Sequence, residues 1–133
     1  VHELYLRMAG RDTFAPDEIA RFFGYAAKAM RNILTDRARH RLAQKSGGQW
    51  ARVTLTAQLD AELANDEAAV DVLALDEAIV GLEGEDARAA EVVQLRYFAG
   101  LTLEQVAEVM DLNRRTITRD WNYARAFLRA RLA

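Results

Sequence analysis

The 133 residues are 51% hydrophobic and 29% charged, with a formal net charge of -2 and no cysteine, which suits one small folded domain or two and excludes disulfide frameworks and thiolate metal sites. No apolar run approaches the roughly 20 residues of a bilayer-spanning helix, and the N-terminus lacks the charged-then-apolar order of a signal peptide. A soluble, cytoplasmic protein with no membrane partner is the expectation.

The chain opens with VHELYLRM, where Leu4, Tyr5 and Met8 recur at helical spacing; it reads as the tail of a helix that begins upstream of Val1. Gly10 breaks that pattern, and the segment from Gly10 to Phe14 is a loop. Pro16 beside Asp17 and Glu18 suits the first turn of a long helix running to about Ala43. Its expected buried face is Ile19, Phe22, Phe23, Ala26, Ala27, Met30, Ile33 and Leu34. The end of this helix is arginine-rich, as the helix macrodipole favours. From Lys28 to Lys45, six basic residues stand against Asp36 alone. Ser46, Gly47 and Gly48 stop the helix, and an acidic tether follows, with a short extended piece at Val53 to Leu55.

A second helical cluster begins near Ala68. Val72, Leu73, Leu75, Ile79 and Leu82 mark one helix that Gly84 should interrupt, and Asp86 to Ala99 is another, closed by Gly100 as a C-terminal cap. The stretch from Asp60 to Glu91 carries eleven carboxylates against Arg88 alone. It should stay away from nucleic acid.

Thr102 to Arg131 has the clearest pattern. Leu103, Val106, Ala107 and Met110 line one helical face, and Thr102 with Gln105 forms a capping-box signature. Asp111, Leu112 and Asn113 supply a turn, with Asp111 tolerant of a left-handed backbone and Asn113 suited to cap the next helix. In that helix Ile117, Trp121, Ala124 and Leu128 share one face, with Ile117 and Trp121 read as core, while Arg114, Arg115, Thr118, Arg119, Asn122 and Arg125 point elsewhere. Six basic residues here stand against Asp120 alone. This is a helix-turn-helix pattern whose second helix can enter a DNA major groove; the plainer reading is a surface hairpin with a solvated arginine row. The predicted fold is all-α: two small helical modules joined by a flexible acidic linker, the C-terminal one a four-helix helix-turn-helix domain.

Across nearly the whole chain the sequence resembles the bacterial extracytoplasmic-function (ECF) sigma factors, the dissociable promoter-recognition subunits of RNA polymerase. ARAAEVVQLRYFAGLTLEQVAEVMDLNRRTITRDWNYARAFL is similar to the family's fourth conserved region, and FFGYAAKAMRNILTDRARHR resembles its promoter-melting helix, through Arg31, Asn32, Asp36 and the basic tail. The chain departs from the family's usual pattern in having Asp111 where the turn commonly has glycine, and in lacking the helices expected before Val1.

The resemblance implies a partial second region over 1–45, a linker over 46–67 and a fourth region over 68–133. It implies core RNA polymerase and double-stranded promoter DNA as partners, with an anti-sigma factor as a further one. The C-terminal helix would read the minus-35 element through Arg114, Arg115, Thr118, Arg119 and Asn122, with Thr116 and Arg125 on phosphates. Arg21, Lys28, Arg31, Asn32 and Arg39, beside the loop from Gly10 to Phe14, would act on the minus-10 element. Leu4, Tyr5, Arg7 and Met8 would face the polymerase clamp or bury against the upstream helices. The acidic tether would run through the polymerase cleft or act as a solvated spacer.

Two other classes compete with this reading. A dimeric helix-turn-helix repressor would carry the same pair of helices. An enzyme would need the carboxylates at Asp66, Glu67, Asp71, Asp76 and Glu77 to hold a hard metal, but no histidine, glycine-rich loop or nucleophile completes such a site, and His2 and His40 read as isolated surface residues. No catalysis, cofactor or small-molecule substrate is therefore expected.

Overall fold

The computed structural model describes residues 15–44 and 66–132, and every described element is helical. The candidate clamp residues Leu4, Tyr5, Arg7 and Met8, the loop from Gly10 to Phe14 and most of the acidic tether lie outside the described residues. Helix α1 spans Pro16–Gln44, α2 Asp66–Glu85, α3 Ala87–Tyr97, α4 Leu103–Met110 and α5 Arg114–Leu132.

Local chemistry accounts for most of the boundaries. Helix α1 starts where proline costs no hydrogen bond, with Asp17 and Glu18 in its first turn and Arg41 in its last, both favourable to the macrodipole. Helices α2 and α3 meet at one residue: Asp86 donates its N–H to the Leu82 carbonyl at 2.7 Å, and its carboxylate accepts from the Ala89 N–H at 3.1 Å. Gly100, at φ 73, turns the chain after α3 in the left-handed region, where the Leu101 N–H reaches back to the Leu95 carbonyl at 3.2 Å.

One apolar cluster holds the described helices together. Phe23 and Ala27 of α1, Ile79 and Leu82 of α2, Val92, Val93 and Leu95 of α3, Val106 of α4 and Ile117 and Ala124 of α5 are all essentially inaccessible to solvent. Helices α2 and α3 lie between α1 on one side and α5 on the other, since both outer helices pack on both inner ones.

Two details differ from the sequence expectation. The C-terminal part is not a self-contained four-helix module: the helix-turn-helix is a pair, α4 and α5, while α2 and α3 share their core with α1 as well. The break expected at Gly84 is present to within a residue: α2 runs through Gly81 and ends at Glu85, and Asp86 caps the next helix. On α1, Phe22 and Ile33 are largely exposed, Phe22 resting edge-on against the buried Phe23 ring, and His40 is partly buried. The apolar stripe is therefore narrower than expected, running through Ile19, Phe23, Ala27, Met30, Leu34 and Ala38.

Among the described residues no helix is long and apolar enough to cross a membrane, and no group of histidine and carboxylate side chains is arranged to hold a metal ion.

Candidate nucleic-acid interface

The helix-turn-helix is built by its caps. The Thr102 hydroxyl accepts from the Gln105 N–H at 3.1 Å and the Gln105 side-chain oxygen accepts from the Thr102 N–H at 2.9 Å, so a reciprocal capping box starts α4. Asp111 ends it in the left-handed conformation at φ 53, ψ 49. Two residues later the Asn113 side chain accepts from the Arg115 N–H at 2.7 Å and begins α5. A three-residue turn thus sets the path of α5, and each of its special conformations has a residue suited to it.

The inward stripe of α5 is Ile117, Asp120, Ala124 and Leu128. The opposite side presents Arg115, Arg119, Asn122, Ala126 and Arg129, all exposed and spaced four, three, four and three residues apart, which keeps them in one line along a helix. Among the described residues no carboxylate pairs with Arg115, Arg119 or Arg129, so this line is a bare positive surface. The remaining candidates flank it. Arg114 is partly engaged, donating to Glu104 at 3.2 Å and to Thr118 at 3.3 Å. Arg125 lies 6.0 Å from the Trp121 ring centre, and Arg96 of α3 lies at the same distance. Thr116 and Thr118 are half-buried. Trp121 packs against the core and Ile117 sits fully within it, so neither is a platform for bases.

The candidates on α1 behave differently. Lys28, Arg31, Asn32 and Arg39 line one cleft of about 450 Å³, closed on its far side by Asp76, Glu83 and Gln94. Arg21 is outside it and pairs loosely with Asp17 at 3.5 Å. Lys28, Asn32 and Arg39 are exposed, Arg39 near Asp36 at 3.4 Å. Arg31 is not available as a surface cation in this structure. Its Nε donates to the Asp76 carboxylate at 2.6 Å, and its terminal nitrogens donate to the Asp76 carbonyl at 3.3 Å, the Gln94 side chain at 3.1 Å and Glu83 at 3.5 Å. Only 11% of its side chain is accessible. The reason is electrostatic: α1 packs along the acidic α2, and Arg31, in the middle of α1, is taken up by Asp76 and Glu83.

Two features escaped the sequence reading. Arg129 extends the outward line by one turn, a position the four-three spacing would have given. Asp120 faces the interior and meets Arg88 of α3, with Nε to carboxylate at 2.6 Å and Nη2 to the second oxygen at 3.1 Å. That hydrogen bond, with the charge of Asp120 behind it, holds the Arg88 pKa above its ordinary value. The lone acid of one block is paired with the lone base of the other.

A basic helix displayed beyond a capped three-residue turn is what a major-groove reader requires, but many unrelated proteins carry one. The whole chain decides the matter: the family model described as ECF sigma factor matches residues 1–133. The chain belongs to the ECF sigma factor family. Such sigma factors are non-catalytic subunits that bind RNA polymerase and recognise promoters, which sets aside the repressor and metal-enzyme alternatives. No curated protein and no solved structure matches the chain.

Proposed function

We propose that this sigma factor directs core RNA polymerase to promoters by reading the minus-35 element with α5 and the minus-10 element with α1. The observation that carries the first half is the unpaired outward line of Arg115, Arg119 and Asn122, opposite the buried stripe of the same helix. Arginine can offer a guanine edge two parallel hydrogen bonds and asparagine can do the same for adenine. Arg114, Thr116, Thr118 and Arg125 flank that line, where phosphates on either side of a groove would lie. Arg129, a turn further on, extends the phosphate contacts.

On α1 the groups for single-stranded minus-10 DNA are Arg21, Lys28, Asn32 and Arg39, with Arg31 joining them only if its carboxylate partners let go. In this reading residues 1–45 are the partial second region, 46–67 the linker and 68–133 the fourth region. Leu4, Tyr5, Arg7 and Met8 would contact the polymerase clamp, and an anti-sigma protein would bind the free factor in the cytoplasm.

Transcription with purified core polymerase tests the proposal. Addition of the chain should stimulate initiation from a promoter selected out of a random duplex pool, and Arg119→Ala should remove that selectivity. Inhibition of initiation, or no effect, would overturn it.

A further inference from the structure

Asp120 occupies an unusual place. It lies on the buried stripe of α5 between Ile117 and Ala124, where the spacing calls for an apolar side chain, and only 6% of its side chain is accessible. Its partner Arg88 is half exposed and stands at the second position of α3, just after the Asp86 cap. Removing a carboxylate from water is costly, and ion pairs of this kind often stabilise a fold no better than apolar residues of the same shape. They do supply direction. A guanidinium and a carboxylate joined by two bonds must share a plane, so the contact fixes rotation and height together.

The apolar neighbours Ile117 and Ala124 are fully buried, but apolar packing carries no direction of its own. Arg119, one residue before Asp120 and about 100° round the helix from it, points into solvent. With side chains an α-helix is about 10 to 12 Å across, so a 20° rotation would move its outer groups by roughly 2 Å. That exceeds the tolerance of a hydrogen bond to a base edge.

We infer that Arg88 and Asp120 are the positioning pair for promoter reading: the fork they form sets the rotation of α5 about its axis, and so decides which base edges Arg115, Arg119 and Asn122 meet. Neither residue touches DNA. The inference rests on the proposed minus-35 role of α5 and assigns the device that makes that role selective. The countercharge is also turned inward, which leaves the outward face positive along its length.

The test uses the full chain bound to core RNA polymerase and a minus-35 sequence selected from a random pool by the wild-type holoenzyme. Two variants are compared. The double variant Arg88→Met with Asp120→Leu replaces the pair by apolar groups, and Arg88→Lys keeps the charge but removes the fork. For each, the thermal midpoint, the affinity for random duplex and the ratio of selected to random binding are measured.

Both variants should keep the midpoint within about 5 °C and bind random DNA as the wild type does, while the ratio falls about tenfold, the worth of one good base contact. The ratio staying within twofold in either variant would overturn the inference. So would a ratio that falls only in step with the midpoint. If the wild-type holoenzyme selects no minus-35 sequence at all, the reading of α5 itself has failed, and that result is visible before any variant is made.

Discussion

The Arg31 contact can be weighed by removing it. In Arg31→Ala the Asp76 carboxylate loses a 2.6 Å charged hydrogen bond, a contribution on the order of 1.5 to 3 kcal/mol in a partly buried setting. Gln94, almost wholly buried, loses the donor to its side-chain oxygen, and an unsatisfied buried acceptor costs about 1 to 3 kcal/mol. Glu83 adds little, because it is substantially exposed and 3.5 Å away. Asp76 itself is 20% accessible and can recover some hydration, so the sum is reduced. A loss of about 2 to 4 kcal/mol is expected, measured by urea unfolding of the full chain with helical circular dichroism as the signal.

Arg39→Ala provides the scale. Its pair with Asp36 is exposed on both sides, and its loss should fall within about 0.5 kcal/mol of zero. A double-mutant cycle of Arg31 with Asp76 should show coupling above about 1 kcal/mol. If Arg31→Ala proves no more damaging than Arg39→Ala, then Arg31 does not tie α1 to α2 in solution.

Other outcomes follow from the same geometry. Gly84→Ala adds a methyl group that meets nothing within 4 Å in the last turn of α2, and should raise stability by about 0.4 to 1 kcal/mol in the same urea assay. Gly100→Ala should instead lower it by about 1 to 2 kcal/mol, since φ 73 is strained for any residue with a Cβ. Thr102→Ala removes half of the capping box and should cost about 1 kcal/mol, with faster hydrogen exchange at Gln105 as the local sign. On DNA, Arg119→Ala should lose about 1 to 3 kcal/mol on the selected promoter only, whereas Arg125→Ala should weaken all duplexes alike and reduce the salt slope by about 1. Equal losses for both on specific and random DNA would refute the division between base and phosphate contacts.

What could be read from the residues and what could not divides along the range of the interactions. The helix-turn-helix was legible to the residue, because capping boxes, left-handed turns and four-three periodicities are local: Thr102 with Gln105, Asp111 and Asn113 all do what their side chains favour. The exposed positions of Arg115 and Arg119 follow from the same periodicity. The break between α2 and α3 was legible as well, since Gly84 and the capping carboxylate of Asp86 stand together there.

The fate of Arg31 and of Arg88 was not legible. Both look like ordinary basic residues until the helices that bring Asp76 and Asp120 beside them are in place, across 45 and 32 residues of sequence. Net charge per segment did carry a signal. A single acid in a basic block, at a register facing inward, needs a partner from elsewhere, and the acidic segment held one arginine to offer.

The junction at Asp86 has a mechanical consequence. One residue closes the last turn of α2 with its amide and opens α3 with its carboxylate, so there is no slack between the two helices and they behave as a bent strut. Because α1 and α5 each pack on both helices of that strut, the bend at Asp86 sets how the two outer helices are held relative to each other.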